Sequence, residues 1–409
     1  MSDGGMVIVG AGHAGGRAAA ALRDNGWTGP ITLIGAEPDA PYERPPLSKE
    51  LLTGDKSAAE CALHPLEFYA INDIRLIADT LVTEIHRSGK YVVLADGQTV
   101  GYEKLLLAPG AEPRRLDIPG ADHEGVHVLR TTADAELLSA RLSPGTRLTV
   151  IGAGLIGLEV ASSAIKRGCT VNVVELADRA MARVAPEASA EHAVARHQAE
   201  GVTFHFNRSV AAFDGKAVHL DDGTEIASDL VLVSIGAAPR AKLAEQAGLT
   251  VSGGIVTDAT LRTGDADIFV AGDACVFPHE LFGGLLRLES WKNAEDSGPL
   301  AARNMLGANE PYRAVPWMWS DQYDFTIQVT GLPDRGTVAV DRPTDGALLQ
   351  FHLDDDGRLV GASGMGPVGA IAKPIRFAQM LMERDAHPDA ADLADPAVNL
   401  KALLKKQAA

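Results

Sequence analysis

The chain alternates short, wholly apolar runs with stretches in which apolar residues recur at helical spacing. Residues 6–9 are Met-Val-Ile-Val, too short for a helix and followed by glycine, so they read as a buried strand. A helical pattern covers 14–25, and a second apolar strand covers 31–34. The same succession returns as a strand at 148–151, a helix running through Glu159 to Arg167, and a strand at 171–174 closed by Glu175. Strand–helix–strand order with strands apolar on both faces predicts parallel sheets. Residues 74–107 read as short strands with a hairpin turn at Asp96-Gly97, and Asp222-Gly223 signals another. The strand at 105–107 ends in small residues where the chain leaves the first domain, and 230–237 is a near-copy that closes the second. Residues 267–270 form an apolar strand ending in Gly272-Asp273, and a helix over 293–305 follows. From residue 311 the pattern changes to strands at 325–330, 337–341, 348–353 and 359–363, then a helix at 371–384. Trp317, Trp319 and Tyr323 cluster ahead of them and read as core or interface aromatics.

The turns after the two matching strands carry the chemistry. After 6–9 comes Gly10-Ala11-Gly12-His13-Ala14-Gly15, and after 148–151 comes Gly152-Ala153-Gly154-Leu155-Ile156-Gly157. The first glycine permits a tight turn, and the second lets a pyrophosphate approach the backbone. The third lets helix and strand pack closely, with the helix N-terminus facing the phosphates. The two motifs lie 142 positions apart, too far for a solenoid repeat and suited to two nucleotide-binding domains. The expected fold is therefore α/β, with two Rossmann-like dinucleotide-binding domains and a C-terminal α+β domain built on a small antiparallel sheet. The expected boundaries are 1–112 with 243–310, 113–242, and 311–409. Two dinucleotide sites suggest FAD with NAD(P)H, a pair that can exchange a hydride.

Glu175, at its strand end, suits a ribose 2′-hydroxyl and would repel a 2′-phosphate. That favours NADH, although Arg179 and Arg183 lie just downstream. In the first unit the equivalent position is Gly35, with Glu37 two residues on and a weaker ribose candidate. Residues 41–49 (Pro-Tyr-Glu-Arg-Pro-Pro-Leu-Ser-Lys) read either as a rigid surface turn or as a loop bringing Arg44 and Lys49 to an anionic cofactor. Ser48 is a candidate cap for a short helix. Asp273 reads as a ligand at a strand end or as a helix cap.

Composition narrows the class. At 409 residues the chain holds two or three domains with ample core. No apolar run reaches membrane-spanning length, and the first strand starts too early to leave room for a signal peptide. Cys61, Cys169 and Cys275 are few, odd in number and far apart, which points to a reducing, cytoplasmic setting and away from structural zinc or an iron–sulfur cluster. The twelve histidines show no ligand spacing on a helix. A net charge of −17 argues against nucleic acid as partner.

Arg44-Pro45-Pro46-Leu47-Ser48-Lys49, the run 154–161, Ala271-Gly272-Asp273 and the run 317–322 (Trp-Met-Trp-Ser-Asp-Gln) complete a pattern covering essentially the whole chain. It closely resembles the FAD-dependent pyridine-nucleotide oxidoreductases of the glutathione-reductase fold, and among them the NADH-dependent ferredoxin reductases of bacterial cytochrome P450 and ring-hydroxylating dioxygenase systems. The resemblance implies FAD held by Gly10, Gly12, Ala14, Gly15, Arg44, Lys49, Val82, Arg130, Asp273 and Trp291. Where the family often carries Asp after the second strand, this chain has Ala36 followed by Glu37, so the ribose contact shifts to Glu37 or to the backbone. NADH is implied on Gly152, Gly154, Ile156, Gly157, Glu159 and Glu175, with Gly236 counted in the same cofactor-binding set. Lys49 and Glu159 are implied to meet beside flavin N5, as the catalytic pair. The implied partner is a [2Fe–2S] ferredoxin taking single electrons, with no membrane or nucleic-acid partner. Monomer and homodimer both stay open.

Disulfide reductases of this fold carry a redox cysteine pair just after the first strand–helix–strand unit, and residues 42–52 contain no cysteine. Electrons therefore leave by another route. A reductase of rubredoxin or monodehydroascorbate shares the fold and is the nearest rival. A redox-sensing interaction protein resembling apoptosis-inducing factor is the rival from another class.

Overall fold

The computed structural model describes residues 4–406, and they form two compact units. One comprises the residues up to Arg44 with Ala59–Glu112 and Ala238–Pro316; the other comprises Pro45–Ala58, Pro113–Ala237 and the residues from Trp317 on.

The first unit is built on a parallel sheet in the order Ile74–Ile77, Ile31–Ile34, Gly5–Val9, Thr99–Leu107. Ile268–Val270 adds to the far end of the last strand in parallel, while Tyr91–Leu94 and Val82–His86 continue antiparallel from its beginning. Ile8, Leu33 and Leu106 are fully buried at its centre. Each such side chain contributes about 1.5–3 kcal/mol by leaving water. The Asp96-Gly97 turn joins Tyr91–Leu94 to Thr99–Leu107 as expected, with Gly97 at φ +84°. The helix His13–Asp24 crosses Trp291–Met305 closely because small residues meet there. A Cβ on Gly298 would lie 2.3 Å from the Ala14 carbonyl oxygen. That second helix starts two residues before the sequence-read position, because Ser290 caps it by accepting from the Asn293 N–H at 3.1 Å.

The second unit holds a five-stranded parallel sheet in the order Thr203–Phe206, Thr170–Glu175, Arg147–Ile151, Leu230–Val233, Val126–His127. Its glycine-turn helix is Leu155–Lys166. The C-terminal part is an antiparallel sheet ordered Trp317–Gln322, Phe325–Gly331, Leu359–Gly366, Leu348–Leu353, Val338–Asp341, with the helix Val368–Met382 packed on it. The strand Trp317–Gln322 adds to the elements expected from the sequence, in which its aromatics read as a cluster. Two short helices, Ala390–Ala394 and Leu400–Lys406, follow. Among the described residues, no helix is long and apolar enough to cross a membrane.

Candidate functional site

In the first unit, Gly5–Val9 runs into Gly10, whose φ of +111° lies where L side chains are strained. A Cβ there would also sit 2.0 Å from the Ala108 carbonyl oxygen. Gly15 faces Gly10 across the turn, and its Cβ would lie 1.9 Å from the Gly10 carbonyl oxygen. Gly12 is different. It is the N-cap of His13–Asp24, makes no side-chain cap, and among the described residues has only the Arg44 guanidinium near its Cβ position, at 3.9 Å. The helix thus presents its first N–H groups and positive dipole end over an open backbone.

The second unit repeats this geometry. Gly152 has φ +101° with its Cβ position 2.4 Å from the Ser234 carbonyl oxygen, and a Cβ on Gly157 would lie 2.3 Å from the Gly152 carbonyl oxygen. Gly154 caps Leu155–Lys166 and has nothing among the described residues within 4 Å of its Cβ position. Both turns therefore pair two sterically required glycines with one glycine over open space, as a pyrophosphate cradle needs. The residues fit two bound dinucleotides. His13 adds a buried Nδ1 that has no hydrogen-bond partner among the described residues, beside the first cradle.

Around the first turn the unit gathers Ala14, Glu37, Arg44, Asp273 and Trp291. Ala14 is buried, and the Gly272 N–H donates to Ser297 Oγ at 2.9 Å, which sets the Ala271–Asp273 turn against the helix Trp291–Met305. Trp291 opens that helix with its ring 5.2 Å from His13. Ala36 is exposed, and Glu37 is tied back. Arg44 Nη2 donates to Glu37 Oε1 at 2.7 Å, and the Tyr42 hydroxyl donates to the other oxygen. Burial alone would raise the Glu37 carboxyl, but Arg44 and Tyr42 outweigh it and hold it below the usual range. The Arg44 guanidinium feels Asp273 as well as Glu37. Val82 is buried in the core of the same unit. Lys49 and Arg130 belong to the second unit. There the Arg130 N–H donates to Asp134 Oδ2 at 3.0 Å, just ahead of a helix capped by Thr131.

Glu175 ends its strand as expected. Its two oxygens accept from the Ala153 N–H at 2.7 Å and the Ala177 N–H at 2.9 Å, so the acid braces the glycine turn it follows. Ile156 is exposed at the start of its helix. Gly236, at φ +97°, has the Arg183 guanidinium 3.0 Å from its Cβ position. Arg179 donates to the backbone carbonyls of Ala180, Ala182 and Ala185, which leaves its guanidinium bound to its own loop.

Lys49 and Glu159 do meet, at 3.3 Å. Glu159 is buried on Leu155–Lys166 and is more heavily coordinated than the sequence suggested. The Ser320 hydroxyl donates to Oε1 at 2.7 Å, and the Ser48 hydroxyl donates to Oε2. Ser48 therefore does not cap the short helix Glu50–Thr53. The cap position is Lys49, without a side-chain bond, and the serine hydroxyl turns to the buried carboxylate because that acceptor is stronger. Burial pushes the Glu159 carboxyl up, while Lys49 and the two hydroxyls act against it. Lys49 also lies 5.5 Å from the centre of the Trp319 ring and 3.9 Å from Asp321. The three cysteines are buried thiols, and burial pushes Cys275 up to about 12, far from a reactive thiolate.

Comparison with known proteins agrees with this geometry. The family described as pyridine nucleotide-disulphide oxidoreductase matches residues 5–298, and the one described as reductase C-terminal matches 317–404. The ferredoxin–NAD(+) reductase component of an anthranilate 1,2-dioxygenase system from Burkholderia cepacia is 40% identical, covering 99% of this chain and 100% of its own. A rubredoxin–NAD(+) reductase from Pseudomonas putida is 40% identical over 83% of this chain and 90% of its own. The crystal structure of a covalent putidaredoxin reductase–putidaredoxin complex superimposes with a TM-score of 0.95 at 32% identity, over 100% of both chains. With two glycine cradles in place and the match running through both of them, the chain belongs to the pyridine nucleotide-disulphide oxidoreductase family.

Proposed function

We propose that this chain is an NADH-dependent flavoprotein reductase that passes single electrons to a [2Fe–2S] ferredoxin serving a cytochrome P450 or ring-hydroxylating dioxygenase. The observation that carries this is the duplicated cradle, together with full-length similarity to a dioxygenase-system ferredoxin reductase. FAD is assigned to the first turn and NADH to the second, in domains spanning 1–112 with 243–310 and 113–242, followed by an interface domain at 311–409. Bound FAD supplies the change from hydride chemistry to one-electron transfer.

The protein's residues supply placement and charge. Gly12 and Gly154 leave room for pyrophosphate, and the helix N-termini behind them offer N–H donors. Arg44, Asp273 and Trp291 complete the FAD side. Glu175 selects NADH by accepting from a ribose hydroxyl where a 2′-phosphate would be repelled. Lys49, held by Glu159, is the cationic group of the reacting centre. The same reading places the protein in the cytoplasm, where buried thiols stay reduced.

A purified, yellow holoprotein mixed anaerobically with NADH should bleach within the mixing time of a stopped-flow instrument, and a [2Fe–2S] ferredoxin should then relay electrons to cytochrome c. A holoprotein that stays yellow with NADH rules the proposal out. The 40% identity to a rubredoxin reductase supports a second reading, in which the acceptor is a rubredoxin. Relay through rubredoxin but not through ferredoxins would select it.

A further inference from the structure

A continuous run of hydrogen bonds leads from the buried Glu159 carboxylate through the second unit. Ser320 Oγ donates to Glu159 Oε1 at 2.7 Å. Gln322 Nε2 donates to Ser320 Oγ at 3.0 Å. Gln322 Oε1 lies 2.8 Å from His197 Nε2, and the Tyr323 hydroxyl lies 3.0 Å from His197 Nδ1. Ser320 and His197 are fully buried and Gln322 nearly so. Of these steps, one alone is local in sequence, from Gln322 to Ser320. The run ties Glu187–Ala199 and the first C-terminal strand to the glycine-turn helix.

The chemistry at one end sets the direction of every proton. Glu159 Oε1 faces the Lys49 ammonium, which only donates, so that oxygen is an acceptor and Ser320 donates to it. The Ser320 oxygen then accepts from the Gln322 amide, which leaves the Gln322 carbonyl oxygen facing His197. That oxygen needs a donor, so the imidazole carries its proton on Nε2. Nδ1 is then an acceptor, and the Tyr323 phenol donates to it. Tyr323 itself sits at φ +49°, an unusual backbone for a bulky residue, and its N–H donates to Ser162 Oγ at 3.2 Å on the Glu159 helix.

We propose that His197 is a positioning residue which, as the neutral Nε2–H tautomer, orients Gln322 and Ser320 so that the whole run of hydrogen bonds terminates on Glu159. Its effect on turnover rests on the proposed role of Lys49 and Glu159, whereas its tautomer does not. The charged groups around the run are Arg196 on the histidine's own helix and Glu200 at its C-cap, Asp324 in the strand turn, and Lys49 and Asp321 at the Glu159 end. Burial lowers His197 to about 4 and keeps it uncharged near neutrality, and burial raises the Tyr323 phenol so that it retains the proton it donates.

Nitrogen-15 spectra of the histidine rings in the holoprotein test this directly, with His197→Gln used for assignment. His197 should show a single neutral form protonated on Nε2. In Ser320→Ala, which leaves the Gln322–His197 contact untouched, the single form should give way to a mixture of tautomers, because Gln322 loses the acceptor that fixes its amide. Ser320→Thr, which keeps the hydroxyl, should restore it. A protonated ring, an Nδ1–H tautomer, or a spectrum unchanged in Ser320→Ala would each overturn the proposal. In stopped-flow reduction by NADH, Ser320→Ala should be slower by about tenfold and Ser320→Thr close to the parent. If the parent bleaches and Ser320→Ala bleaches equally fast, the positioning role is rejected. If the parent itself fails to bleach, the proposed function is rejected, and the spectra alone decide on the hydrogen-bond run.

Discussion

At the residue scale, Glu37, three residues past its strand, and Glu175, at the end of its own, show how one side-chain type takes different tasks. Glu37 is neutralised by Arg44 and Tyr42 within its own loop, so its carboxylate is spent on positioning the guanidinium. Glu175 braces two backbone N–H groups and has no cationic partner within ion-pair distance among the described residues, so it presents net negative charge at the second cradle. Replacing it with alanine removes that charge, and the preference for NADH over NADPH in kcat/KM should narrow by about tenfold, the scale of one partly screened charge interaction. Glu175→Gln separates charge from bracing, because the amide oxygen still accepts one N–H. A preference that survives both substitutions would remove Glu175 from cofactor selection.

At the element scale, the two strand–turn–helix units are interchangeable in geometry but not in assigned ligand, and this allows a paired test. A methyl group on Gly15 meets the Gly10 carbonyl oxygen at 1.9 Å, and one on Gly157 meets the Gly152 carbonyl oxygen at 2.3 Å. In each case the helix must move away from its strand, at a cost of about 1–3 kcal/mol. Gly15→Ala should therefore be purified with little flavin, its FAD affinity lower by tenfold to a hundredfold. Gly157→Ala should stay yellow and show a raised KM for NADH instead. Flavin loss in Gly157→Ala with full retention in Gly15→Ala would reverse the assignment of the two cradles.

At the scale of the whole molecule, stability responds to pH through His197. Its imidazole titrates near 6.5 when unfolded and is lowered to about 4 in the fold, by burial first and then by Arg196, with Gln322 and Glu200 opposing. The unfolded chain therefore binds the extra proton first. Stability is fully present above pH 6.5 and falls as pH drops toward 4, by about 3 kcal/mol for this group. Carboxylates held below their usual range act in a lower window. Asp229, held to about 2 mainly by the Arg147 side chain, loses its contribution only between about pH 4 and 2. Urea midpoints measured from pH 7.5 to 4.5 should decline for the parent and decline less for His197→Gln. Parallel declines would show that His197 does not control this acid sensitivity.

The residues that local physics constrains were legible in the chain itself. A four-residue apolar run, a glycine that must adopt positive φ, and another that must lack a Cβ are conditions on neighbouring atoms, so both cradles, their strands and Glu175 could be read directly. The Lys49–Glu159 meeting came from a family resemblance, since no spacing rule relates residues 110 positions apart. Ser48 and Ser320 converge on the same carboxylate from 111 and 161 positions away, and His197 joins through Gln322 from 125. A buried carboxylate demands donors but does not say where along the chain they come from. The strand Trp317–Gln322 was hidden for the same reason, because its aromatic pattern becomes a strand only when Phe325–Gly331 pairs with it. Sequence alone therefore determined the two dinucleotide turns. Tertiary structure decided what surrounds the buried Glu159, because a hydrogen bond is satisfied in space and leaves no period in the chain.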